Sequence, residues 1–169
     1  MALSMYSASV PVYVHTLANL ERFLDKADAY AALRKFDPVV LLGMRLAPDM
    51  LPLTKQVQIA CDAAKLCVAR LAGIDAPKFE DNEASIADLK ARIRKTLEFL
   101  KGVPAEKVDG SEKREVSVPR RDGEMKFEGE TYLKHYALPN FFFHVTTTYA
   151  LLRHNGVDLG KADYLGAMR

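Results

Sequence analysis

Four stretches of the chain repeat apolar residues at intervals of three and four, the spacing that gathers them into one stripe along an α-helix. The first runs through Val10, Tyr13, Leu17, Leu20 and Leu24. The second, over residues 50–72, runs through Met50, Leu53, Val57, Ala60, Ala64, Cys67 and Leu71, and its alanines allow close helix approach. Ile86, Leu89, Ile93, Leu97 and Leu100 make the third, and Ala137, Phe141, Val145, Thr148 and Leu152 the fourth. Four such stripes must cover one another, which predicts an all-α, antiparallel four-helix bundle. A chain of 169 residues, 49% hydrophobic and 27% charged, is long enough to bury a sizeable core as a single domain over residues 1–169.

Punctuation between the stripes sets the element boundaries. Pro11 begins or bends the first helix, whose stripe ends near Lys26, and a separate short turn is expected over residues 28–35. "FDPVVLLGMRLAPDMLP" reads as a proline-rich connection, with Pro52 in the first turn of the second helix and Asp49 as a candidate cap. Gly73 closes that helix, and "IDAPKFEDNEA" is turn-rich. Ser85 and Asp88 have capping-box spacing at the start of the third helix, whose outer face is expected to carry Lys90, Arg92, Arg94, Lys95 and Lys101 into solvent. The period then changes to two in "REVSVP" and "EMKFEG", which flank Asp122-Gly123 and predict a short β-hairpin inserted between helices three and four. Residues 131–155 are helical again, kinked or restarted at Pro139 and stopped at Gly156, and the tail after it reads as irregular.

Several function classes drop out. Lys and Arg number 24 against 22 Asp and Glu, a net charge of +2 that gives no footprint for nucleic acid. No apolar run approaches the roughly 18 residues a membrane span needs, and no basic segment leads an apolar signal-like run at the N-terminus, so a cytoplasmic protein is expected. There is no glycine-rich phosphate loop, no nucleophile elbow and no Cys-x-x-Cys. Cys61 and Cys67, six apart on one helix, are separated by roughly 9 Å along its axis and cannot bridge, so two buried thiols are expected.

The polar residues that ought to be buried are more informative. On the fourth helix Asn140, His144, Thr147 and Leu151 form a row beside the apolar one, and buried amide and imidazole groups must find partners. On the second helix Gln56 turns inward with Leu53 and Ala60, whereas Gln58 and Asp62 are expected further out. Gln56, Asn140 and His144 are therefore the candidate ligand-binding group, with His144 as the candidate catalytic acid or base. His15 is expected to be exposed and His154 to cap the last turn of its helix, while the spacing leaves the orientation of His135 open.

The segments "RLAPDMLPLTKQVQIACDAAK", "ARLAG" and "LPNFFFHVTTTYALLRHNGVDLGKADYLG", together with the hairpin, resemble a family of domains of unknown function within the DinB/YfiT-like superfamily. That resemblance implies a bundle, often a homodimer, in which characterised relatives hold a divalent metal with one histidine on helix two and a His-x-x-x-His pair on helix four. Registered on "LLRHNG", His144 falls on the second histidine of the pair and Asn140 on the first, and helix two offers Gln56 instead of histidine. Two carboxamides and one imidazole are weak donors without charge, so no cofactor is expected beyond a weak divalent metal, for which His144, Asp49 and Cys61 are the candidate ligands. The expected function is a non-catalytic or small-ligand-binding dimer with a degenerate metal site, and the alternative is a metal- or thiol-dependent transferase or isomerase using His144.

Overall fold

The computed structural model describes residues 3–167. Four long helices build it: α1 (Val10–Arg34), α3 (Leu53–Ala72), α4 (Ile86–Gly102) and α7 (Leu138–His154). Short elements join them: α2 (Val39–Leu42), α5 (Ala105–Val108), strands β1 (Glu115–Arg120) and β2 (Gly123–Glu128), α6 (Gly129–Tyr132), and α8 (Lys161–Leu165) at the end. The expected bundle with an inserted hairpin is thus present.

The apolar stripes are the core. Tyr13, Leu17 and Leu20 of α1, Val57 and Ala64 of α3, Leu89 and Ile93 of α4, and Phe141 and Val145 of α7 are all fully buried. Each large aliphatic side chain so buried contributes on the order of 1.5–3 kcal/mol before the entropy of ordering it is counted. The helices form a ring in the order α1, α4, α3, α7. Their directions follow from cross-helix pairs. Tyr13 meets Phe141 and Phe23 meets Tyr149, so α1 and α7 run the same way. Arg94 reaches Glu21 and Lys90 reaches Asp25, so α4 runs against α1. Gln56 meets His144 and Arg70 meets Tyr132, so α3 runs against α7. The bundle is up, down, down, up. Two successive helices in one direction require a return path, and residues 73–85 supply it as a strap laid along α3 and α4.

Some boundaries differ from the expectation. α1 continues unbroken to Arg34, where Lys35 takes a left-handed conformation (φ 58°) and caps it; no proline or glycine interrupts residues 28–34. α3 begins at Leu53, and Asp49 is exposed and gives it no cap. Ser85 does cap α4: its Oγ accepts from the Asp88 amide at 3.1 Å, and the Asp88 carboxylate accepts in return from the Ala84 amide at 3.1 Å. In the hairpin Arg120 pairs with Gly123, so the loop is Arg121-Asp122, and Gly123 alone takes the positive φ (132°). The tail contains α8, which packs on α1: His15 Nε2 lies 2.6 Å from the Leu165 carbonyl, and Asn19 donates to the Tyr164 carbonyl at 2.9 Å.

Pro139 lies in the first turn of α7, which restarts at Leu138 after a π-helical turn. α6 runs into a π-helical turn at Leu133–Ala137 and then directly into α7, all with right-handed helical backbone at the joins. A proline ring clashes with the carbonyl four residues back, here that of His135, and lacks the amide that would bond to it. Widening the preceding turn to i→i+5 bonding makes room for the ring.

Candidate functional site

His144 lies on the inward side of α7 and is 8% exposed, and Gln56, in the first turn of α3, is 2% exposed. His144 Nδ1 and Gln56 Oε1 are 2.7 Å apart, and Gln56 Nε2 donates to the Leu51 carbonyl at 3.0 Å. The second bond fixes which end of the carboxamide faces the imidazole. Because the oxygen accepts, Nδ1 carries the proton and Nε2 holds the lone pair in the neutral ring. Nε2 makes no hydrogen bond among the described residues. Burial lowers the pKa of His144 from its ordinary value, which favours the neutral form.

The threonines that follow are explained locally. Thr147 and Thr148 donate to the carbonyls of Phe143 and His144, one turn back, so their hydroxyls are satisfied inside the bundle. Replacing Gln56 with leucine is expected to cost about 1–3 kcal/mol, because the Nδ1–H of His144 would stay buried without an acceptor. Urea denaturation of both proteins measures this, and a loss below about 0.5 kcal/mol would mean that the contact is not maintained in solution.

Asn140 stands apart from that pair. It is half-buried one turn earlier on α7 and makes no hydrogen bond to Gln56 or His144. Instead it lines a groove of about 130 Å³ between α3 and α7, with Asp62 and Arg70 on one wall and Tyr132 and Tyr136 on the other. The remaining candidates are dispersed. Cys61 is fully buried beside Thr96 of α4, and burial pushes its thiol up to about 12; Cys67, under α1, is likewise buried and also at about 12. His15, His135 and His154 are exposed. Among the described residues, no three His, Cys, Asp or Glu side chains gather as a metal-binding group. A single imidazole, offering only its Nε2 lone pair, is a poor donor set for a divalent ion, and Asp49 and Cys61 do not join it.

A second polar centre escaped the sequence reading. Arg92 and Gln58, both expected on the outside, are 3% and 2% exposed. Arg92 lies under the strap, bonded to Asp62 at 3.0 Å, Asp81 at 3.1 Å, Glu83 at 2.9 Å and the Glu80 carbonyl at 3.2 Å. Gln58 donates to the other oxygen of Glu83 at 2.6 Å, and Lys65, also buried, pairs with Asp62 at 2.8 Å and lies over the Phe79 ring. Burial raises the pKa of the Glu83 carboxyl, but hydrogen bonds from Arg92 and Gln58 outweigh it and hold the group below its ordinary value. The cleft of about 450 Å³ beside this cluster has its guanidinium already occupied by protein oxygens, so the cluster reads as the strap's fastening.

A ring of four helices running up, down, down, up, with a polar pair between the second and the last and a hairpin ahead of the last, defines a DinB-like bundle. The domain of unknown function DUF1993 matches residues 5–165, and the chain belongs to that family. It is also similar to a DinB family member protein from Shewanella denitrificans, whose crystal structure shares 45% sequence identity and a TM-score of 0.91 over 96% of this chain and 92% of that one. No protein of curated function matches it significantly. No helix among the described residues is long and apolar enough to cross a membrane.

Proposed function

We propose that this chain is a non-catalytic or small-ligand-binding DinB-like bundle, acting as a homodimer in the cytoplasm. In this reading the Gln56–His144 hydrogen bond occupies the position where characterised superfamily relatives hold a metal. The observation that carries the proposal is the 2.7 Å contact between His144 Nδ1 and Gln56 Oε1, in a carboxamide already anchored on Leu51. The contact commits the Gln56 oxygen to the imidazole, and the one lone pair left, on His144 Nε2, has no carboxylate or thiolate gathered with it among the described residues to complete a divalent site. The domain assignment over residues 1–169 is part of the same reading, supported by the contiguous hydrophobic cluster that all four long helices share.

Calorimetric titration with Zn²⁺ and Ni²⁺ tests the degenerate site. No binding tighter than about 10 µM is expected, and removal of metal by chelation is expected to leave the melting temperature unchanged. Micromolar or tighter binding that His144→Gln abolishes would overturn it. Sedimentation at micromolar concentration tests the dimer.

One observation favours a second reading, in which His144 is a general base: its Nε2 lone pair has no protein partner among the described residues and its neutral form is favoured. The same burial makes stability depend on pH. The folded pKa lies below the unfolded value near 6.5, so on acidification the unfolded chain takes up the proton first. Stability is therefore expected to fall as pH drops through about 6.5 toward the lower folded value. His144→Gln keeps a donor for Gln56 and does not titrate. Its pH–stability curve is expected to lack this component, and superimposable curves would show that His144 is not held neutral.

A further inference from the structure

We propose that the groove between α3 and α7, centred on Arg70 and Tyr132, binds a small carboxylate with a short apolar body. This rests on the ligand-binding reading above and moves the ligand about four turns, roughly 21 Å along α3, from Gln56 of the Gln56–His144 pair. Arg70 lies in the last turn of α3, half-buried, and no carboxylate is paired with it among the described residues. Its Nη1 donates to the Tyr132 hydroxyl at 2.9 Å, which leaves the other edge of the guanidinium without a partner. A half-buried guanidinium without a counter-charge fits a carboxylate, which it can grip through two parallel N–H bonds.

Tyr132 supplies the second donor. Its side chain is 1% exposed, and its oxygen accepts from Arg70 but its proton is given to no acceptor among the described residues. Burial pushes its pKa up to about 12, so the hydroxyl keeps that proton at neutral pH. Tyr136 stacks on Tyr132 with ring centroids 5.9 Å apart and extends the same wall. The π-helical turn at Leu133–Ala137 carries Tyr136 and Ala137 to the groove, and single π turns recur at binding sites because they re-aim side chains that a regular helix could not.

The rest of the lining sets the size and polarity of the occupant. Ile59, Ala63, Leu66 and Ala137 give an apolar floor, and the carboxamide of Asn140, unbonded among the described residues, closes the far end. A volume of about 130 Å³ is room for roughly four water-sized groups, so the ligand is of the order of butyrate rather than a nucleotide or a peptide. Asp62 also borders the groove, but it is paired with Arg92 and Lys65 and lies two turns, about 12 Å, along α3 from Arg70. Its charge therefore does not oppose an anion at Arg70.

The test is a thermal-shift and calorimetric titration of the full chain with sodium butyrate at fixed ionic strength, with butyramide as the uncharged control. A saturable rise in melting temperature with butyrate, and none with butyramide, is expected. Arg70→Gln, at a half-exposed position, is expected to weaken butyrate by about tenfold or more, Tyr132→Phe by about fivefold, and His144→Gln not at all. Circular dichroism of each variant checks that it is folded. No saturable response, an equal response to butyramide, or a butyrate affinity unchanged in Arg70→Gln would overturn the carboxylate site. None of those outcomes touches the metal titration at His144, so the two readings fail separately.

Discussion

Arg92→Leu is expected to lower the stability of the bundle by about 3–5 kcal/mol, the range seen when one partner of a buried ion cluster is removed and the others are left behind. Here the others are Asp62, Asp81 and Glu83, with Gln58 bonded to Glu83. Leucine replaces the aliphatic stem of arginine tolerably well, so most of the loss comes from the buried Glu83, left without its cation, whereas Asp62 keeps Lys65 and Asp81 keeps Lys55. For a chain of this length the melting temperature should fall by roughly 10 °C. The difference should shrink in acid. Glu83 and Asp81 have pKa values lowered in the folded state from 4.5 and 3.8, Asp81 first through its bond from Lys55 and Glu83 through Arg92 and Gln58 against its burial. Their contribution is present above those ordinary values and lost as pH falls through the lower folded ones. Melting curves of both proteins at pH 7 and pH 3.5 measure this. A loss below about 1 kcal/mol at pH 7 would mean that Arg92 is not buried in solution.

Phe141→Ala is the other large effect, expected at about 3–5 kcal/mol. Its ring is fully buried and meets Tyr13 edge-on with centroids 4.8 Å apart, while Phe142 packs on it at 5.4 Å. The cavity left would lie where α1 and α7 run side by side, a seam with no short loop to hold it. Combining it with Tyr13→Leu in a double-mutant cycle should return a coupling of about 0.5–1.5 kcal/mol. Additive losses would show that the two rings do not interact.

The bundle was readable because periodicity reports burial directly. Val10, Tyr13, Leu17, Leu20 and Leu24 are apolar, spaced at three and four, and every one of them is buried. The inward placement of Gln56 and His144 followed from the same wheel, as did their need for partners. What periodicity could not report is how a long side chain is covered. Arg92 is three residues from Leu89 and one from Ile93, a position at the edge of the apolar stripe, and charge alone argued for solvent. It is buried because residues 80–83 of the strap arrive from outside the helix with carboxylates, and only the downward course of both α3 and α4 brings them there. Gln58 was misplaced for the same reason, since its partner Glu83 belongs to the strap.

Asn140 shows a different limit. A spacing of four puts it on the same side of α7 as His144, but α3 crosses the two at different heights, and the π-helical turn just before it belongs to the groove wall. Propensity gives no sign of a π turn. Pro139 is the one signal in the sequence, and it predicts a kink or a restart rather than a π turn.

The ring closes between its first and last helices, and this bears on how the chain is made. The face of α1 that receives Phe141 and Tyr149 is apolar, and its partner is the last long helix to leave the ribosome. Until then α1, α3 and α4 can associate, but the seam stays open and sticky. Contacts between the two ends of a chain are slow to form, so folding should be slower than in a bundle whose neighbours follow one another in sequence. A nascent chain stalled before Phe141 is the form of this protein most exposed to aggregation.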